Sequence, residues 1–314
     1  MNYLVTGGAG FIGSHLCNRL LKNGDCVVCV DNLQRGDETN IRGCIKNAKF
    51  KFYKVDATDQ ESMEAIMRDQ KTDMVYHLAA NTDLWESMKD PELEHHCTFL
   101  TTQSILNAMR NTGVKKLFFS STSVIYGEQK GSPFTEADEL HPITYYGSAK
   151  MASEAYIYSF SYMNDIDALI YRFSNIIGDK MTHGVIRDFI FKLKNDPTHL
   201  DVRGNGYQTK PYLYVDELLS AILMIGKDFN GVEIYNVGAT SCTNVRFIAE
   251  AVIKEMGLEG IPINYEDKEM GYKGDIVKYE YNVDKINKRG WHSIMSSDET
   301  VLRTVKELVR EFGN

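Results

Sequence analysis

The chain has 314 residues, 43% of them hydrophobic and 25% charged. This is the composition of a globular protein long enough for a large core and a second lobe, and it excludes disordered and fibrous classes. A net charge of -8 argues against nucleic acid or an anionic membrane as partner. No apolar run approaches the ~18 residues of a membrane span, and the N-terminus lacks the features of a signal peptide, so a cytoplasmic location is expected. The six cysteines are dispersed, which suits unpaired thiols in a reducing compartment.

Residues 2–6 form a short apolar run that ends in Gly7-Gly8-Ala9-Gly10-Phe11-Ile12-Gly13, and helical periodicity follows over 14–23. Strand, glycine turn and helix in that order predict a pyrophosphate site. The early glycines let the backbone turn and approach the phosphates, and Gly13 lets helix and strand pack closely. The next strand, 26–30, ends in Asp31, about 25 residues after the first glycine, where a carboxylate accepts from ribose hydroxyls and repels a 2′-phosphate. NAD is therefore favoured over NADP, with Arg35 as a nearby contrary signal. Cys26 and Cys29 lie within that strand on opposite faces, a core pattern rather than a redox or metal pair.

Strands are predicted at 49–55, ending at Asp56 (a candidate adenine contact), and at 74–78, capped by Ala79-Ala80, with a helix over 60–69 between them. His77 reads as a satisfied strand-end histidine. A helix over 93–112 and a strand over 116–120 continue the alternation, which implies a doubly wound parallel sheet of the α/β class. His95-His96-Cys97 lacks a second ligand cluster, and no metal is expected. A hydroxyl-rich stretch, Ser120-Ser121-Thr122-Ser123, follows. Farther on, Tyr146 and Lys150 are four apart, so on a helix they share a face, and an ammonium beside a phenol favours the phenolate. Tyr145 has Ala149 at the same spacing and no such help.

Together, residues 6–16, Asp31, 77–80, 120–127 and 146–150 resemble the motifs of the extended short-chain dehydrogenase/reductases, in particular the nucleotide-sugar epimerases related to UDP-glucose 4-epimerase. The resemblance implies a Rossmann domain over 1–175, rejoined by about 210–240, and a smaller, discontinuous C-terminal substrate lobe over 176–209 and 241–314. It implies NAD bound by Gly7, Gly10, Phe11, Ile12, Gly13, Asp31, Asn32, Asp56, Ala57, Leu78, Ala79, Ala80, Tyr146 and Lys150. Counting four back from Tyr126 places the family's hydroxyl residue at Thr122, which would hydrogen-bond the sugar hydroxyl with Ser121 and Ser123 assisting. Tyr146 would take the hydroxyl proton. Lys150 would bind the nicotinamide ribose and, with the positive nicotinamide ring, hold the phenol pKa down.

In the second half, Arg172-Phe173-Ser174-Asn175-Ile176-Ile177-Gly178 resembles a family motif in which Asn175 contacts the substrate phosphates, with Asp179 in place of a proline. A helix start near Val185 is a candidate cradle for the base or phosphate. Lys210 and Tyr272 occupy positions where the family carries phosphate-binding arginines, and Lys273 is a candidate substitute. Thr98 stands where an asparagine is usual, and a last helix is predicted over 298–312.

The leading functional expectation is a 4-epimerase of an NDP-hexose or NDP-hexuronic acid, oxidising C4 transiently and regenerating NAD in each turnover. The alternative is an NAD-dependent C4 dehydrogenase that releases the 4-keto sugar. Ser123 and Val124 occupy positions where 4,6-dehydratases and decarboxylases carry acids, which disfavours both. A non-catalytic NAD-binding protein is disfavoured by the complete Thr, Tyr and Lys set. The family also implies a homodimer through the helices at 93–112 and 146–162.

Overall fold

The computed structural model describes residues 1–129, 131, 133–226 and 228–313. The chain divides into two compact units, residues 1–125, 142–172 and 221–235 in the first and 126–141, 173–220 and 236–314 in the second, residue 314 lying outside the described residues. The segments 126–141 and 210–220, which the sequence reading leaves with the cofactor domain, pack with the second unit.

The first half alternates strands and helices: β1 (Asn2–Thr6), α1 (Phe11–Lys22), β2 (Cys26–Val30), α2 (Glu38–Ile45), β3 (Phe50–Tyr53), α3 (Gln60–Asp69) and β4 (Met74–His77). α4 (Leu84–Lys89) precedes the predicted helix over 93–112, which is helical throughout but is made of the end of α5 (Pro91–Glu94), a π-helical segment (His95–Leu100) and α6 (Thr101–Thr112). β5 (Lys116–Thr122) runs two residues beyond its predicted end, so Thr122 terminates a strand; a short 3₁₀ turn (Ser123–Ile125), α7 (Tyr145–Asn164) and β6 (Asp167–Phe173) follow.

The remaining elements are β7 (Asn175–Ile177), α8 (Val185–Asn195), β8 (Leu200–Val202), β9 (Thr209–Lys210), β10 (Tyr212–Tyr214), α9 (Val215–Ile225), β11 (Val232–Val237), β12 (Thr243–Asn244), α10 (Val245–Glu255), β13 (Ile263–Tyr265), α11 (Asp284–Asn287) and α12 (Ser297–Phe312). The last begins with a capping box in which Ser296 and Glu299 each satisfy the other's backbone N–H.

One seven-stranded sheet has the order β11-β6-β5-β4-β1-β2-β3. Its pairings from β3 through β5 are parallel, with Tyr3 opposite Val27 on one side and Met74 on the other. This is the doubly wound order, and its chain reversal places ligand-binding loops at the carboxyl ends of β1, β2, β4 and β5. The inner strands β1, β2, β4, β5 and β6 are buried on both faces, whereas the edge strand β3 exposes Lys51. Leu4, Val28, Val75, Leu117 and Ile170 project to one side and pack with Met63, Ile66 and Met67 of α3 and Ile105, Leu106 and Met109 of α6. At roughly 1.5–3 kcal/mol per buried aliphatic side chain, this core holds the strand ends in register. Side-chain caps set the helix starts: Asp37 accepts from Thr39 N, Asp59 from Ser62 N and Thr144 from Gly147 N.

Candidate active site

The turn between β1 and α1 is tight enough to exclude side chains. Gly7 has φ +67°, and a Cβ there would lie 2.8 Å from Ala79 N. A Cβ on Gly13 would collide with the Gly7 carbonyl and come within 2.7 Å of Gly8 Cα. α1 starts at Gly10 with no side-chain cap, so the amides of Phe11, Ile12 and Gly13 form an uncapped helix N-terminus. Asp31 is buried at the end of β2, where Oδ2 accepts from Ala9 N at 2.9 Å and Oδ1 from Leu33 N at 2.8 Å. Burial raises its pKa against those two hydrogen bonds.

Around this turn, Asn32 Nδ2 donates to Asp56 Oδ2 at 2.8 Å, next to buried Ala57. Burial works to raise the Asp56 pKa, but hydrogen bonds from Thr58 and Asn32 outweigh it and hold the carboxyl low. Leu78 N donates to the Thr6 carbonyl, Ala79 N to Thr6 Oγ1, and Ala80 follows at the loop. A backbone cradle that a Cβ would fill, a helix N-terminus and an acid at the next strand end fit a dinucleotide. Arg35, the contrary signal, is ion-paired with Asp83 at 3.2 Å and with Glu86, and its charge is matched.

Next to the cradle, Thr122 and Tyr146 are brought together. Gly147 makes the approach possible: a Cβ there would lie 2.9 Å from the Val124 carbonyl, so α7 seats directly on the turn after β5. The Thr122 hydroxyl, which accepts from Val124 N at 3.4 Å, is hydrogen-bonded to the Tyr146 phenol. Ser121 and Ser123 flank it, both buried. One turn along α7, buried Lys150 donates to the Ser120 carbonyl at 2.7 Å; its Nζ lies 4.6 Å from the Phe119 ring centroid and 5.9 Å from that of Tyr146.

The electrostatics correct one expectation. The Tyr146 pKa is raised, not lowered: burial dominates, the Glu94 carboxylate adds to it, and only the Thr122 hydrogen bond opposes them. Lys150 is aimed at a carbonyl and an aromatic face rather than at the phenol oxygen. Its own pKa falls to about 8 through burial, while Glu94 and Glu154 pull the other way. His77 is hydrogen-bonded to Thr6 Oγ1 at 2.8 Å and Thr102 Oγ1 at 3.1 Å. Burial and the Lys150 charge push it down to about 3, leaving a neutral imidazole.

Sequence reading missed Glu94. Its buried carboxylate accepts from Asn81 Nδ2 and Thr98 Oγ1, each at 2.8 Å, and from Ser87 Oγ. A lone glutamate in a helical stretch carries no signal of burial; the hint was Thr98 four residues on, already an oddity. Glu154 was also missed. It sits on α7 with Lys150 and pairs with buried Arg172, whose NH2 lies 2.8 Å from Oε2.

In the second unit, Asn175 opens β7 opposite Tyr212, and Val185 is the first residue of α8, whose N-cap Gly184 offers no side chain. Lys210 Nζ lies 2.5 Å from Asp275 Oδ1. Tyr272 accepts from Asp275 N at 3.1 Å, and burial with the nearby Asp275 charge raises its phenol pKa. Lys210, Tyr272 and Asp275 therefore cluster, with the lysine charge neutralised by a carboxylate.

A doubly wound sheet with a glycine cradle, a strand-end acid and a Thr-Tyr-Lys set defines an NAD-dependent protein of the short-chain dehydrogenase/reductase class. The model of the NAD dependent epimerase/dehydratase family matches residues 3–238, and the chain belongs to that family. It is 31% identical over 307 residues to a putative UDP-glucose 4-epimerase of Methanocaldococcus jannaschii, covering 96% of each chain. It is similar to the structure of a Thermotoga maritima UDP-glucose 4-epimerase with UDP-glucose, with TM-score 0.89, 30% identity and 99% of each chain covered. A Thermus thermophilus UDP-glucose 4-epimerase in complex with NAD superposes with TM-score 0.87 at 29% identity over 98% of each chain. NAD is the cofactor of this family, and the cradle fits it.

Proposed function

We propose that the chain is a nucleotide-sugar 4-epimerase, with Thr122, Tyr146 and Lys150 as its catalytic residues. The observation that carries this reading is the Thr122–Tyr146 hydrogen bond, backed by buried Lys150 one turn on. It is a single acid/base couple, which suits removal and return of one hydroxyl proton. Ser123 and Val124 hold the adjoining positions without an ionisable side chain, so elimination or decarboxylation lacks its second acid or base.

NAD, when bound, supplies a hydride acceptor that can return the hydride. Thr122 orients the C4 hydroxyl toward the phenol oxygen, and Tyr146 takes its proton and returns it to the same oxygen once the keto sugar has turned its other face to the cofactor. Lys150, its pKa lowered to about 8, holds the ribose and places a positive charge in a low-dielectric site. The raised Tyr146 pKa means that proton abstraction needs the further positive charge that the oxidised cofactor brings to the site. Asn175, Val185, Lys210 and Tyr272 are assigned to the nucleotide part of the substrate, with Ser121 and Ser123 assisting at the sugar. The names of the relatives support a UDP-sugar. Exposed Tyr158, Tyr162 and Met163 on α7 support a homodimer, and a cytoplasmic location is part of the same reading.

The test is incubation with UDP-, GDP-, CDP- and dTDP-sugars, followed by NMR of the products in heavy water. Inversion at C4 without deuterium uptake, and without growth of NADH absorbance, is the expected result. Steady NADH release would overturn it in favour of a C4 dehydrogenase.

A further inference from the structure

The glycine turn is gripped from both sides by loops that also hold each other. β1 lies between β4 and β2, parallel to both, so the loops after β4 and β2 leave the sheet at the same edge on either side of the turn after β1. On the β2 side, Asp37 N and Asn40 Nδ2 donate to the Ala9 carbonyl at 3.1 and 2.9 Å, and Ala9 N donates to Asp31. On the β4 side, the Ala79 backbone abuts Gly7. The two loops are then joined across the turn. Arg35 bridges to Asp83 at 3.2 Å and to Glu86, and Cys97 Sγ lies 3.8 Å from Gln34 Oε1. Asp83 is fixed in turn as the N-cap of α4, accepting from Trp85 N and Glu86 N.

These ion pairs have little to do with holding the fold. Arg35, Asp83 and Glu86 are 38%, 31% and 55% exposed, and exposed pairs add little to stability. What they do is close a ring whose base is the pyrophosphate turn. We infer that Arg35, Asp83 and Glu86 form a strap across the mouth of the NAD groove and slow release of the cofactor. A cofactor that must stay through oxidation and re-reduction gains from such a strap, and an arginine held by two carboxylates is not free to pair with a 2′-phosphate. The inference rests on NAD occupying the glycine turn and is independent of the 4-epimerase reading.

The experiment loads the full-length protein with NADH, chases with excess NAD and follows the loss of bound NADH fluorescence; no sugar substrate is involved. Arg35→Gln is expected to release NADH about two- to fivefold faster, the range an exposed charge pair supports. Asp83→Asn/Glu86→Gln should do the same, and the triple variant should be no faster than either, because all three changes break one link. High salt should speed release from the wild type more than from Arg35→Gln. Unchanged release from Arg35→Gln would overturn the strap. So would faster release from Arg35→Gln with slower or unchanged release from the carboxylate variant, since Arg35 would then hold the cofactor directly.

Discussion

Lys150 is a buried cation that the fold keeps at a cost, and the cost has a pH signature. Burial lowers its pKa from 10.5 to about 8. At about 1.4 kcal/mol per tenfold change in proton affinity, the charged lysine destabilises the folded state by roughly 3 kcal/mol. Below pH 8 the lysine is protonated in both states and the whole penalty is present. Between pH 8 and 10.5 the unfolded chain keeps the proton and the folded one loses it, so stability rises with pH and the penalty fades. Lys150→Met removes the titration. It also strands the Ser120 carbonyl that Nζ now serves, a pH-independent loss of about 1–3 kcal/mol that shifts the whole curve without bending it. Urea denaturation of both proteins from pH 6 to 10 isolates the bend: the wild type should gain about 2–3 kcal/mol relative to the variant between pH 7 and 10. A difference that stays constant across that range would show that Lys150 keeps an ordinary pKa and would refute the reasoning.

Two further outcomes follow from neighbouring contacts. Glu154→Gln takes the charged carboxylate away from the buried Arg172 guanidinium and should destabilise by about 3–5 kcal/mol in the same assay, with Arg172→Met in the same chain recovering most of the loss. Tyr146→Phe should abolish turnover of any accepted nucleotide sugar while purified protein still carries NAD by its absorbance ratio; retained activity would remove the phenol from the mechanism.

What could be read from the sequence is what depends on local pattern. The turn from Gly7 to Gly13 was legible because no residue with a Cβ fits against Gly7 O or Ala79 N, and Asp31 because strand and acid are contiguous. The predicted helix over 93–112 is present, but its π-helical stretch at 95–100 was not legible, for a physical reason. Thr101 Oγ1 donates to the His96 carbonyl five residues back, and Thr98 Oγ1 to the Glu94 carboxylate, so side-chain hydroxyls accompany the wider π register that periodicity cannot reveal. The same limit governed the charges. Spacing on α7 correctly put Tyr146 and Lys150 one turn apart, but the direction of the ammonium is set by the Ser120 carbonyl and the Phe119 ring on β5, and the field at the phenol by Glu94 from the segment between β4 and β5. All three are long-range contacts. A motif can therefore name the groups that carry the chemistry while leaving their protonation to the burial that the whole fold imposes, with Glu94, from outside the motif, as the nearby charge that acts on both Tyr146 and Lys150.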